Sequence, residues 1–320
     1  MKILFITSNR LGDAVLSTGL LAWLAEKHPA AHFTIACGPY SAGLFRAVPG
    51  LERLIILEKK GWNRHWLELW QATIGTRWDL VVDLRNSLAS RLLRRRKLAL
   101  RRQRAGAHKV IENAATFGLR PPPVPHIWLD AAAELEADTL LPKDRPLLAF
   151  GPAANWPCKQ WPAERFAALA QKLTAPGEPL AGAAVLVLAE PHERAPLEPL
   201  LNALPSGQIV EIIGCGLLPV AACLRRCRLF IGNDSGLMHV AAALGTPTLG
   251  LFGPGYEEIY GPWGPRGMFI RTPESREELL ARLPDSRARE PNLMTGLNVE
   301  KVYDAARRLL ARTDPDIAGT

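Results

Sequence analysis

Apolar and polar positions along this chain come in blocks that alternate between two periods. Lys2–Thr7 contains the unbroken run ILFI, the form of a strand buried on both faces. Ser8–Asp13 follows as a polar loop with a glycine. Val15, Leu16, Leu20, Leu21 and Leu24 then recur at helical spacing until Pro29 ends the segment. Phe33–Cys37 reads as a second strand, broken by the Gly38-Pro39 pair, and Leu54–Leu57 and Leu80–Asp83 as further strands with helical material between them. The alternation returns in the second half. Leu147–Phe150, Ala184–Leu188, Ile209–Ile213, Leu229–Ile231 and Thr248–Phe252 are strand-like, with helices after Pro162, over Pro219–Cys227 and over Leu237–Leu244. Strand, helix, strand in repetition predicts an α/β chain with open, doubly wound parallel sheets.

The pattern also divides the chain. Pro121–His126 (PPPVPH) is stiff and extended, an alanine-rich helix runs from after Trp128 to Leu141, and PKDRP reads as a linker. These signals predict a first domain over 1–142 and a second over 146–297. A terminal amphipathic helix over 298–312, capped near Asn298, is expected to pack back on the first domain. At 320 residues the chain is long enough for two cores.

Composition narrows the function classes. Hydrophobic residues at 48% and charged residues at 22% describe a soluble globular chain, and runs such as Ala183–Ala189 are too short to cross a bilayer. Met1-Lys2 leads straight into a strand, which is not the form of a signal peptide, so a cytoplasmic place is expected. The five cysteines, Cys37, Cys158, Cys215, Cys223 and Cys227, form no CxxC pair and read as core residues rather than disulfides or a zinc site. A net charge of +8 implies an anionic partner. No RNA-recognition, zinc-finger or helix-turn-helix signature accompanies that charge, so nucleic acid is the weakest choice.

Candidate chemistry concentrates in Leu229–Pro254, LFIGNDSGLMHVAAALGTPTLGLFGP. A tight turn, Gly232–Gly236, sits between a strand and a helix. Backbone N–H groups at such a helix start, near Ser235 and Gly236, suit a phosphate, and glycine permits close approach. His239 lies one turn on and would donate to a diphosphate. Asp234 repels a phosphate, and either caps the helix or accepts from a sugar hydroxyl. The plainer alternative leaves Asp234 and Ser235 as caps and His239 as a core histidine.

Other polar residues stand at strand exits. Asp13 is either a helix cap or a reactive carboxylate. Lys59, Lys60 and Arg64, interleaved with Trp62 and Trp66, and the run Arg91–Arg104 are either solvated helix faces or anion holders. Lys159, among Trp156, Pro157, Trp161 and Pro162, is either a surface charge or a charge for a ligand. Glu193 suits the first turn of a helix equally well.

GNDSGLMHVAAALGTPTLGLFGP, together with RLGDAVLST near the start and the lysine before tryptophan and proline at 159–162, resembles glycosyltransferase family 9, the lipopolysaccharide heptosyltransferases. The resemblance covers both halves in order. It implies a GT-B fold, two Rossmann-like domains with an interdomain cleft, and an inverting transfer of heptose from ADP-heptose to the lipopolysaccharide inner core. Carried over by motif, Asp13 is the general base and Lys159 contacts the donor diphosphate. Asn155, Glu193, Asp234, Ser235, Gly236 and His239 hold the donor, Glu193 on its ribose or base side. Lys59, Lys60, Arg64 and Arg10 hold the anionic acceptor. No metal or other cofactor is implied, and the acceptor implies a peripheral place on the cytoplasmic face of the inner membrane. Gly19 departs from the family's usual proline. Another nucleotide sugar or acceptor, or a binding protein without catalysis, stand as alternatives.

Overall fold

The computed structural model describes residues 1–283 and 291–313. The sequence also predicts exposed arginines at Arg287 and Arg289 and a frayed end over Thr313–Thr320; Arg287, Arg289 and residues 314–320 lie outside the described residues. The chain forms two compact units, Met1–Asp130 and Ala131–Thr320.

The first unit is a five-stranded sheet of β1 (Lys2–Ile6), β2 (His32–Cys37), β3 (Leu51–Ile56), β4 (Trp78–Asp83) and β5 (Arg95–Leu100), in the order β3-β2-β1-β4-β5. Every pairing is parallel. Ile3, Leu4, Phe5 and Ile6 are fully buried, which is why the central strand reads as continuous apolar sequence. Burying each such side chain contributes roughly 1.5–3 kcal/mol. The helix Leu11–Lys27 lies across it with Val15, Leu16, Leu20, Leu21 and Leu24 buried. A Cβ at Gly19 would meet the carbonyl oxygen of Pro123 at 2.5 Å. Glycine at this position lets the proline-rich segment lie against the helix.

The second unit is a six-stranded parallel sheet of β6 (Leu147–Gly151), β7 (Ala184–Ala189), β8 (Ile209–Ile213), β9 (Leu229–Asn233), β10 (Thr248–Phe252) and β11 (Gly267–Arg271). Its order is β11-β10-β9-β6-β7-β8. Leu148, Phe150, Trp161, Phe166, Leu169 and Val185 belong to its buried core.

Several expectations are corrected. The helix Ala131–Leu140, assigned from the sequence to the first domain, packs on the helix Leu217–Arg225 of the second unit. Ion pairs from Arg226 to Glu134 (2.9 Å) and Asp138 (2.6 Å) fix it there, so the division falls at Asp130 rather than near 142. The terminal helix Val299–Thr313, expected on the first domain, is part of the second unit. Its apolar face, Val302, Ala305, Ala306, Leu309 and Leu310, completes the second unit's core against the helix Ala163–Leu173 and β9–β11. Asn298 does cap it, accepting the Lys301 N–H at 2.9 Å.

Two strands went unread. β11 is short and half-buried. β5 lies within the arginine-rich run, where a solvated helix face was one expectation; it is an edge strand whose Arg96 and Lys97 are exposed while Ala99 faces the core.

Candidate active site

In an open parallel sheet, ligands gather beyond the carboxyl ends of the strands, where strand order reverses. In the second unit that place is the β6/β9 junction. β9 ends in Asn233, a fully buried polar residue closing an apolar strand. Its side chain is satisfied twice by the exit of β6. Oδ1 accepts the Trp161 N–H at 3.0 Å, and Nδ2 donates to the Pro152 carbonyl at 2.6 Å. Asn233 therefore ties the segment 152–161 to the end of β9.

That tie positions Lys159. The short turn Pro157–Lys159 closes with the Lys159 N–H on the Trp156 carbonyl at 2.9 Å. Lys159 Nζ then donates to Asp234 Oδ2 at 2.5 Å. The two side chains keep 24% and 11% of their surface, so the pair is screened far less than an ordinary surface bridge. Asp234 is thus held by a lysine and does not cap the following helix.

Ser235 is the N-cap residue by backbone geometry and Gly236 the first residue of the helix Gly236–Ala243. The first-turn N–H groups and the positive end of the helix dipole face the same strand exits. Ser235 Oγ is buried and has no hydrogen-bond partner among the described residues. His239 lies one turn on, 4% exposed, with its ring 6.5 Å from that of Tyr260. The exit of β10 closes against this group. A Cβ at Gly255 would fall 2.5 Å from Asp234 Oδ2, so only glycine fits beside the carboxylate. Arg271 holds that exit, bonding the buried Glu257 at 2.6 Å and the Gly253 carbonyl at 3.2 Å.

Glu193 stands at the exit of β7, in the first turn of a short helix, and one carboxylate oxygen accepts the Glu190 N–H at 2.9 Å, a capping bond the sequence reading did not include. Asn155 is exposed in the β6 exit loop.

In the first unit, order reverses at β1/β4. Asp13 is the third residue of its helix, one turn beyond the N-cap, which is the exposed Arg10. Ser8 Oγ donates to Asp13 Oδ2 at 3.5 Å. From the β4 exit, Arg85 Nη1 donates to Asn9 Oδ1 at 3.1 Å. Burial pushes the Arg85 guanidinium below its ordinary value, and the nearby carboxylates of Asp13 and Asp83 oppose that shift. Asp83 is fully buried and accepts from the Arg85 N–H, the Ser87 N–H and the Ser87 hydroxyl at 2.6–2.8 Å. Lys59, Lys60 and Arg64 are exposed beyond β3, Lys60 pairing with Glu68 at 2.8 Å.

The structure therefore brings Lys159, Asp234, Ser235, Gly236 and His239 together on one unit, and Arg10 and Asp13 on the other. Sequence reasoning missed Asn233, Gly255 and Arg85. A buried-type strand ending in asparagine was the one available signal for the first. Among the described residues, no group of three or more His, Cys, Asp or Glu is placed to hold a metal ion, and no helix is long and apolar enough to cross a membrane.

The sequence model described as Glycosyltransferase family 9 (heptosyltransferase) matches residues 95–282, more than half of the chain. The chain belongs to glycosyltransferase family 9. It is a glycosyltransferase by that membership. Lipopolysaccharide heptosyltransferase 2 of Salmonella typhimurium is 26% identical over 312 residues, covering 85% of this chain and 88% of that protein. Lipooligosaccharide heptosyltransferase 2 of Haemophilus influenzae is 28% identical over 184 residues, covering 56% of this chain. That match spans about half the relative's length, 51%. Among solved structures, E. coli ADP-heptose lps heptosyltransferase II aligns with a TM-score of 0.73 at 22% identity, over 98% of this chain and 99% of that one. At that identity the likeness establishes the fold, and the two parallel sheets are those of a GT-B family 9 enzyme.

Proposed function

We propose that this family 9 enzyme transfers heptose from ADP-L-glycero-D-manno-heptose to the inner core of lipopolysaccharide, with inversion at the anomeric carbon. The observation that carries this reading is the Lys159–Asp234 pair beside the amides of Ser235 and Gly236. It sets a mostly buried ammonium, its charge balanced by Asp234, beside backbone N–H donors at the strand exits of the second unit, a seat for a diphosphate. The names of the relatives supply the heptose and the acceptor.

The reaction is a single displacement. An acceptor hydroxyl oxygen bonds to the anomeric carbon while the bond from that carbon to the phosphate oxygen of ADP breaks. Asp13 takes the hydroxyl proton as the bond forms. The departing ADP gathers negative charge, which Lys159, the helix amides and His239 stabilise. Asp234 alone would oppose that charge by roughly 1–4 kcal/mol at 4 Å. Held by Lys159 it is neutralised, and it orients the ammonium while turning its second oxygen to a sugar hydroxyl. Asn155 and Glu193 contact the remainder of the donor. Because lysine and amides supply the positive charge, the scheme needs no metal. Lys59, Lys60, Arg64 and Arg10 hold the anionic acceptor at the cytoplasmic face of the inner membrane.

The test is ADP release from ADP-heptose with and without a truncated inner-core acceptor, comparing wild type with Asp13→Ala. Acceptor-dependent release that collapses in the variant, while ADP binding persists, is the expected result. Tight ADP binding without release would point to another sugar or acceptor. Absence of ADP binding would overturn the reading of the Asp234 loop.

A further inference from the structure

The exits of β10 and β11, on the side of Asp234 away from the β6 exit, carry charged residues that the transfer scheme does not use. Most are already matched. Glu257 pairs with Arg271 at 2.6 Å and Glu274 with Arg282 at 3.2 Å. Glu278 accepts the Ser275 N–H at 2.7 Å in a capping box, and Glu258 and Glu277 are exposed to water. Arg276 is different. Its Nε is buried without a hydrogen-bond partner, and among the described residues no carboxylate forms an ion pair with its guanidinium.

What holds Arg276 is a ring. Its guanidinium carbon lies over the Tyr256 ring, 4.1 Å from the centroid. A cation stacked in this way has its plane fixed and one face covered. The edge of the guanidinium stays open, and that edge carries the paired N–H donors that match a carboxylate or a phosphate. Tyr256 is 45% exposed and Arg276 half-buried, so the stack stands at the surface and not in the core.

The stack also stands close to the site. Tyr256 directly follows Gly255, whose Cβ position falls 2.5 Å from Asp234 Oδ2. The sheet order β11-β10-β9-β6-β7-β8 puts Tyr256 and Arg276 on one side of the β9 turn and Glu193, at the exit of β7, on the other. With the diphosphate at the β9 turn and the ribose or base toward Glu193, the side toward β10 and β11 receives the sugar end of the donor and the molecule that attacks it.

We propose that Arg276, held on Tyr256, binds an oxyanion of the acceptor, a carboxylate or a phosphate, beside the sugar end of the donor. The contact belongs to the second unit and is separate from the cations of the first unit. It selects for a charged acceptor, since a neutral sugar leaves the guanidinium edge unmatched. The inference rests on the proposed function for the anionic class of the acceptor and adds the residue that reads it.

The experiment is titration calorimetry of the full chain, loaded with ADP, against a truncated inner-core fragment that carries carboxylates, with and without added phosphate groups. Arg276→Met is expected to bind the fragment about 10–100-fold more weakly, the scale of a lost charged hydrogen-bond pair. Its affinity for ADP and its thermal midpoint should stay at the wild-type values. Arg276→Lys keeps the charge without the fork and should recover only part of the loss. Tyr256→Ala removes the stack and should weaken fragment binding severalfold. Equal losses on both fragments assign a carboxylate, and a loss confined to the phosphorylated fragment assigns a phosphate. Arg276→Met that binds both fragments as wild type does would overturn the proposal. So would an equal loss of ADP affinity, which would make Arg276 a donor contact. Wild type that binds ADP but neither fragment removes the acceptor of the proposed function and this contact with it. Wild type that binds a fragment without transferring heptose removes the reaction alone, and the Arg276 comparison still decides the contact.

Discussion

Lys159 and Asp234, separated by 75 residues in sequence, meet Nζ to Oδ2 at 2.5 Å where the exits of β6 and β9 converge. The pair has two separable consequences. Lys159→Met leaves a mostly buried carboxylate without its cation, which is expected to cost about 1–3 kcal/mol of stability after allowing for the residual exposure. It is also expected to lower kcat by about 10²–10³-fold, the usual effect of removing one group that stabilises developing charge. Adding Asp234→Asn relieves the uncompensated charge and should return part of the stability but none of the activity. Thermal denaturation and ADP release on the two single variants and the double variant check this. Stability losses that simply add would mean the two side chains are not coupled.

Asn233→Ala removes both bonds from the end of β9 to the β6 exit. The Pro152 carbonyl and the Trp161 N–H are then left buried and unpaired, with an expected loss of about 1–3 kcal/mol each at most. Since the segment 152–161 carries Lys159, ADP affinity should fall alongside. Titration calorimetry against ADP at a temperature where the variant is folded separates this from global unfolding. Wild-type affinity in the folded variant would reduce Asn233 to a structural residue.

Gly255→Ala places a methyl group 2.5 Å from Asp234 Oδ2. The carboxylate must move, and the lysine with it. Turnover is expected to fall by about tenfold, the scale of a small misplacement in a preorganised site. Gly75→Ala is the matched control. Nothing lies within 4 Å of the added carbon there, and the change should be neutral or stabilising by about 0.4–1 kcal/mol. Equal activity in both variants would contradict the packing argument.

Burial pushes the Cys37 thiol up to about 11 and the Cys223 thiol up to about 12, from an ordinary value of 9.0. The fold thus favours their protonated forms. Their contribution to stability is complete below pH 9 and is lost as pH rises through the folded values. Wild type should lose stability between about pH 9 and 12, and a Cys37→Ala, Cys223→Ala variant should lose less across the same interval. Urea midpoints across the alkaline range measure this, and parallel curves would remove the thiols as the cause. At pH 8, alkylation should reach the partly exposed Cys215 before the four buried cysteines.

The sheets were legible because their central strands are buried on both faces and so write themselves as short apolar runs. The turn at Asp234–Gly236 was legible for a similar reason, since a strand, a glycine-bounded turn and a helix follow within a dozen residues. What the sequence hid were relationships between distant residues. Asn233 meets partners 72 and 81 residues away, and Arg85 meets Asn9 across 76. The terminal helix announced an apolar face but not its partner. Periodicity says that a face is buried and is silent about what buries it. Glu193 had two readings of equal weight, and its bond to the Glu190 N–H gives it a structural duty whichever ligand it meets.

The arginine-rich run at β5 has a meaning apart from any ligand. β5 closes one side of the first sheet, so among the described residues its outer row of N–H and C=O groups has no neighbouring strand. Such a margin is a template on which another polypeptide can add itself. Arg95, Arg96 and Lys97 occupy half of the strand, and a second copy laid alongside would bring its cations against these. Part of the chain's +8 charge thus stands along an open edge, where like-charge repulsion opposes strand-to-strand pairing of two copies.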